Sequence, residues 1–131
     1  MYKWCYKIPL WWPTAVVVCL ILYATLNPNP VVISPKLYFS GIDKVIHFIM
    51  FFVFSGSLYF DWSKQSLPLK MTVRKVLIIA IISLSLGIVI EFLQTGMGLG
   101  RTGTAGDAAA DALGAFAGAF VAFKAFKIIK L

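Results

Sequence analysis

The sequence predicts an all-α fold: a bundle of four transmembrane helices with short loops and both termini in the cytoplasm. Of its 131 residues 60% are hydrophobic and only 13% are charged, which is more apolar surface than a small soluble core can bury. Four apolar runs approach the roughly 20 residues that cross a bilayer. The length leaves room for one domain, residues 1–131.

The first predicted helix covers residues 8–26 and ends at Asn27-Pro28-Asn29-Pro30, because proline cannot continue the backbone hydrogen-bond ladder. Lysines followed by an apolar run also resemble a signal peptide. The run is long for one, however, and no small-x-small cleavage site ends it. We therefore expect a retained helix.

The second predicted helix covers residues 41–60, with Phe48, Phe51, Phe52 and Phe54 around most of its circumference, as expected of a lipid-exposed helix. Residues 61–74 are expected to form a polar, lysine-rich turn. The third helix covers residues 75–93, and its polar residues are concentrated at its end. The fourth covers residues 107–123.

Helix four carries small residues at every fourth position, which lets another backbone approach closely. The favoured interpretation is packing inside this bundle. The alternative is a homo- or hetero-oligomer contact through Gly114 and Gly118. The stripe consists of Gly106, Ala110, Gly114, Gly118 and Ala122.

The basic residues predict the topology, because lysine and arginine accumulate on the cytoplasmic side of membrane spans. The side assigned to the cytoplasm holds Lys3, Lys7, Lys64, Lys70, Arg74, Lys75, Lys124, Lys127 and Lys130. The other side holds only Lys36, Lys44 and Arg101.

Composition also disfavours several classes of protein. A basic stripe with interleaved aromatic residues, as in nucleic-acid binding, is not found outside the apolar runs, so no nucleic-acid partner is expected. Cys5 and Cys19 lie about 21 Å apart along a helix, too far for a disulfide. No Cys/His spacing indicates a zinc site, and we expect neither a metal nor a cofactor.

Ionisable and amide side chains from three separate segments are predicted to meet at the extracytoplasmic side. Within each pair the spacing is three or four residues, so both members share a helix face. Such groups are costly in lipid and should turn inward, which predicts a polar pocket opening outward. The predicted ligand-binding residues are Asp43, Lys44, His47, Glu91, Gln94, Arg101, Asp107 and Asp111.

Each member also has a structural interpretation. Asp43 and Asp107 could simply cap helices two and four. His47 could bond a backbone carbonyl at the interface, and Arg101 could neutralise Glu91 or Asp107. Glu91 is the hardest to explain in this way.

This pattern resembles that of the VanZ-like membrane protein family over about residues 22–118. The resemblance rests on Asp43-Lys44 with His47, Glu91-x-x-Gln94, Arg101 followed by Asp107, and Gly114 with Gly118. Asp111 departs from it, since the family pattern leads us to expect asparagine there. The resemblance implies a small bacterial plasma-membrane protein. The founding member is associated with resistance to the glycopeptide teicoplanin, which is not transferred to this chain.

Four functions fit the sequence. The leading one is binding of a cell-envelope ligand, such as a lipid-linked headgroup or a glycopeptide, with Lys44 and Arg101 meeting an anionic group. The second is an enzyme acting on an envelope lipid or glycan, with His47 as acid or base and carboxylates as partners or metal ligands. The third is transport, disfavoured because the inner helix halves offer no matching ionisable group. The fourth is a structural subunit of a larger membrane complex.

Overall fold

The computed structural model describes residues 7–27, 41–65, 72–98 and 104–129. These residues form four helices: α1 (Trp12–Leu26), α2 (Ile42–Gln65), α3 (Val73–Gly96) and α4 (Ala105–Ile129). The predicted all-α bundle is confirmed. Arg101, Cys5, Lys3, Lys36, Lys70, Lys130 and the predicted 31–40 loop lie outside the described residues.

Three helices, α2, α3 and α4, are long and apolar enough to cross a membrane. Helix α1 has 15 residues, or about 22 Å at 1.5 Å per residue, which is shorter than a hydrocarbon layer of about 30 Å. It begins at Trp12, not at the predicted Ile8, because Trp11 adopts a left-handed conformation with φ 65° that interrupts the helix.

Helices α2 and α3 each contact the other three helices, whereas α1 and α4 are not neighbours within the described segments. Phe51 and Phe54 are buried in the core with Ile79 and Ala115. The expectation that these phenylalanines face lipid was therefore wrong for Phe51 and Phe54, although α2 still exposes Val45, Ile49 and Val53. Two of its phenylalanines fill the interior, and the most exposed apolar side chains belong to other helices.

Helices α2 and α4 run parallel and make the most extensive contact in the bundle. A Cβ atom on Gly114 would collide with the backbone of Phe48, and one on Gly118 would collide with Phe52 and Ser55. The small-residue stripe thus lets two backbones meet inside one bundle, as favoured above. The oligomer contact through the same glycines stays a prediction.

The two ends of the bundle are named here by the α2 residues that mark them. The His47 end holds the start of α2, the end of α3 and the start of α4. The Asp61 end holds the start of α1, the end of α2 and the end of α4, since Asp61 bonds Thr14 and Phe126 packs on Tyr59. The described ends of the chain therefore lie at the same end of the bundle.

Helix α2 continues five residues beyond the predicted Phe60 and ends at Gln65. The predicted turn over residues 61–74 was wrong at both ends, since α3 already begins at Val73. The polar residues after Phe60 predicted a loop. Instead, the side chains of Asp61 and Ser63 are buried in the bundle, and α2 continues through both residues.

Candidate functional site

The start of α4 is fixed by a reciprocal cap. The Thr104 hydroxyl and amide donate to Asp107 Oδ2 at 2.8 Å and 3.0 Å, and the Asp107 amide donates to Thr104 Oγ1 at 3.3 Å. This is the arrangement of a capping box, with threonine at N-cap and an acid three residues later. The capping interpretation of Asp107 is confirmed, and Thr104 is the partner that the sequence reading missed.

Asp107 also contacts α2. The Lys44 ammonium donates to Asp107 Oδ1 at 3.4 Å, and the Lys44 stem lies against Gly106, where a side chain would collide with it. Because the Lys44 side chain is half exposed, the pair is worth at most about 1 kcal/mol. Its geometric effect is to align the starts of α2 and α4.

One turn further along, His47 and Asp111 form the central contact of the site. His47 Nδ1 lies 2.9 Å from Asp111 Oδ1, and Asp111 is only 2% exposed. With the carboxylate ionised, the Nδ1–H donates, so this hydrogen bond fixes the tautomer and orients the ring. The residue that departs from the expected family pattern is thus the one that holds the histidine.

Helix α3 leaves room for this pair. A Cβ atom on Gly87 would lie 2.8 Å from Asp111 Oδ2 and 3.3 Å from Phe51 Cζ, so the carboxylate rests directly on the α3 backbone. Glycine is required here because of space. Gly87 was another residue that sequence reasoning missed, since a single glycine in an apolar run carries no specific signal.

Glu91 lies one turn beyond Gly87 on α3. The charges of Asp111, Asp107 and His47 all act on its carboxyl group. Its Oε1 atom is buried and has no hydrogen-bond partner among the residues described. A buried acceptor without a partner costs about 1–3 kcal/mol. Among the described residues at the His47 end, Glu91 Oε1 is therefore the one buried side-chain oxygen without a hydrogen-bond partner.

Gln94 and Asp43 contribute differently from expectation. Gln94 is 4% exposed and its amide donates to the Thr25 carbonyl at 2.9 Å, so it ties the end of α3 to the end of α1. Asp43 is exposed in the first turn of α2 and acts on His47 only through its charge. Gln94 is thus a structural contact in this arrangement, and Asp43 lies at the rim.

The structure therefore brings together Lys44, His47, Glu91, Asp107 and Asp111 from three helices, and we call these five residues the polar cluster. Arg101 lies outside the described residues. Among residues 7–27, 41–65, 72–98 and 104–129, no group of three or more His, Cys, Asp or Glu side chains could hold a metal ion. The metal-ligand variant of the enzymatic hypothesis has no support in that part of the chain.

At the opposite end, the prediction that Asp61 sits in a polar loop was wrong. The residue is fully buried, and its Oδ2 accepts hydrogen bonds from the Thr14 hydroxyl at 2.6 Å and the Thr14 amide at 3.1 Å. Lys64 lies 4.0 Å from Asp61 Oδ1 and donates to the Ile8 carbonyl at 2.9 Å. A buried ionisable group thus exists at this end, which removes the argument used above against transport.

The VanZ/LLP1 family matches residues 7–129, nearly the whole chain, and the protein belongs to this family. It is accordingly a VanZ-like membrane protein. No curated protein and no solved structure matches the chain.

Proposed function

We propose that this protein is a multi-pass protein of the bacterial plasma membrane with both termini in the cytoplasm. In this orientation the Asp61 end, where most described lysines lie, faces the cytoplasm, in accord with the positive-inside rule. The polar cluster then faces the cell envelope. Fusing a fluorescent protein to the C-terminus tests this. Fluorescence is expected, because the commonly used green fluorescent proteins do not mature after export in unfolded form.

We further propose that the polar cluster binds a cell-envelope ligand such as a lipid-linked headgroup. The observation that supports this most directly is Glu91 Oε1, a buried acceptor without a described partner, one helix turn along α3 from the Gly87 that lies against Asp111. Buried polar groups are nearly always hydrogen-bonded, so an unpartnered acceptor needs a further group, which a ligand could supply to Glu91. The other unpartnered buried atoms of the described residues, Tyr59 Oη, Asp61 Oδ1 and Ser63 Oγ, lie at the Asp61 end. A hydroxyl, amide or ammonium of the headgroup would donate to Glu91.

The charges restrict how such a ligand would be oriented. Lys44 is already paired with Asp107, so within the described cluster the carboxylates outnumber the free cations. A phosphate would depend on Lys44 leaving that pair, or on Arg101, which lies outside the described residues. We therefore place the donor groups of the ligand against Glu91, and any anionic group towards Lys44.

The experiment is mass spectrometry of lipids that co-purify with the protein from native membranes. Glu91→Gln removes the charge while preserving the shape, and bound envelope lipid should fall at least severalfold. Ser85→Ala is the matched control, because Ser85 is exposed on the same helix and bonds only its own backbone. Identical lipid content in native protein and Glu91→Gln would contradict the proposal.

A second candidate function is acid–base catalysis on an envelope lipid or glycan. It is favoured by the 2.9 Å His47–Asp111 contact, because a carboxylate bonded to Nδ1 leaves Nε2 to take or give a proton. Turnover of an envelope lipid by purified protein, abolished by His47→Gln, would support this function. Binding without turnover in the native protein would leave the first proposal in place.

A further inference from the structure

Among the described residues, the exposed charges at the Asp61 end are all positive. The only described carboxylate at this end, that of Asp61, is fully buried and bonded to Thr14, so it does not offset the cations outside. The basic residues described here are Lys7, Lys64, Arg74, Lys75, Lys124 and Lys127.

Four of these cations stand on adjacent helix ends. Helices α3 and α4 are antiparallel and in contact, so Arg74 and Lys75 at the start of α3 lie at the same level as Lys124 and Lys127 near the end of α4. We call these four residues the basic patch. All except Lys75 are exposed.

Two ammonium groups of the basic patch lie over aromatic rings. Lys124 Nζ is 5.4 Å from the Phe120 ring centroid, and Lys75 Nζ is 5.9 Å from that of Trp62. Such contacts hold a lysine head close to the apolar surface. In a membrane protein, this places the charge at the depth of the lipid headgroups.

The surface next to the basic patch, towards the middle of the membrane, is apolar and open. Leu77 and Ile81 on α3 are 52% and 64% exposed, and Phe120 and Val121 on α4 are also exposed. A molecule with a negative head and long hydrocarbon chains would meet cations above and these side chains below. A soluble acidic partner would contact only the basic patch and not the apolar surface beside it.

From this arrangement we propose that the basic patch binds the phosphate of an anionic phospholipid whose acyl chains lie along α3 and α4. Juxtamembrane lysines and arginines each contribute about 1 kcal/mol of attraction to anionic lipid, which corresponds to about fivefold in affinity. This site is distinct from the polar cluster, which lies at the other end of the bundle.

The test is native mass spectrometry of the full chain with equal amounts of phosphatidylglycerol and phosphatidylcholine of matched chain length. Native protein should prefer phosphatidylglycerol, and the preference should weaken with added salt. The double variant Lys124→Gln with Lys127→Gln should lose about fivefold per charge removed. Lys124→Arg with Lys127→Arg should keep the preference, which separates loss of charge from loss of fold.

Thr72→Ala is the matched control, since it changes an exposed, uncharged side chain at the start of α3 that makes no cap hydrogen bond, and it should leave the preference unchanged. An equal preference in native protein and the double glutamine variant would overturn the proposal. So would an equal loss in Thr72→Ala. Displacement of the lipid by glycerol phosphate in solution would show a site for free phosphate and would also contradict it.

Discussion

The two ends of α2 provide different surroundings for a buried carboxylate oxygen. At the Asp61 end, Asp61 is fully buried, its Oδ2 accepts two hydrogen bonds from Thr14, and its Oδ1, which has no hydrogen-bond partner in the described chain, lies 4.0 Å from the Lys64 ammonium. At the His47 end, Glu91 Oε1 is also buried without a hydrogen-bond partner, and no cation of the described residues forms an ion pair with this carboxylate. The first carboxylate joins α2 to α1, and the difference in surroundings is what supports the proposal that the second meets a ligand.

The largest effect is expected at the Asp61 end. Asp61→Ala leaves the buried Thr14 donors without an acceptor and Lys64 without its counter-charge, which should lower the free energy of unfolding by about 3 kcal/mol. Asp61→Asn should cost less, because its amide oxygen still accepts from Thr14. Thermal unfolding in detergent measures both. If the alanine variant were as stable as native protein, Asp61 would not be a structural contact.

At the His47 end, Gly87→Ala should have the next largest effect. The added methyl group would meet Asp111 Oδ2 at 2.8 Å and force the carboxylate away from His47, at a cost of about 1–3 kcal/mol. Gly96→Ala on the same helix is the control, since nothing lies near a Cβ there. A crystal or NMR structure of Gly87→Ala with an intact His47–Asp111 contact would show that this account of Gly87 is wrong.

Gln94→Leu tests whether the contact between α3 and α1 at the His47 end is independent of lipid binding by the polar cluster. Loss of its bond to the Thr25 carbonyl should cost about 1 kcal/mol and loosen the end of α1. Faster hydrogen exchange in the last turn of α1, without loss of bound envelope lipid, is the expected result. Unchanged exchange there would mean that Gln94 does not hold α1.

The smallest effect is expected for Lys44→Gln, because its pair with Asp107 is long and partly exposed. The free energy of unfolding should change by less than about 1 kcal/mol. Thermal unfolding measured beside Asp61→Ala gives the comparison directly. A Lys44 variant as unstable as Asp61→Ala would remove the distinction between the two ends.

The fold could be predicted from the sequence because runs of apolar residues define membrane helices with little ambiguity. The error at the end of α2 lies where polar residues are buried. Asp61 and Ser63 predicted the end of a helix, because the sequence cannot show that Thr14 on another helix donates a hydrogen bond to the buried Asp61 carboxylate. The phenylalanines of α2 likewise do not show which of them face lipid.

That the described polar residues share the His47 end could be predicted, since helix spacing and polarity place them at one level. Their pairing could not. Lys44 with Asp107 and His47 with Asp111 are separated by more than sixty residues, and they meet because the glycines of α4 let α2 approach closely. Thr25, Thr104 and Gly87 carry no chemical signal of their own and become informative only through their neighbours.

The most direct test of the contrast compares Glu91→Gln with Asp61→Asn, measuring unfolding temperature and bound envelope lipid on the same preparations. The account predicts that Glu91→Gln loses the lipid and keeps its unfolding temperature, whereas Asp61→Asn unfolds at a lower temperature and keeps the lipid. If lipid content follows stability in both variants, or changes in neither, the proposed difference between the two ends is contradicted.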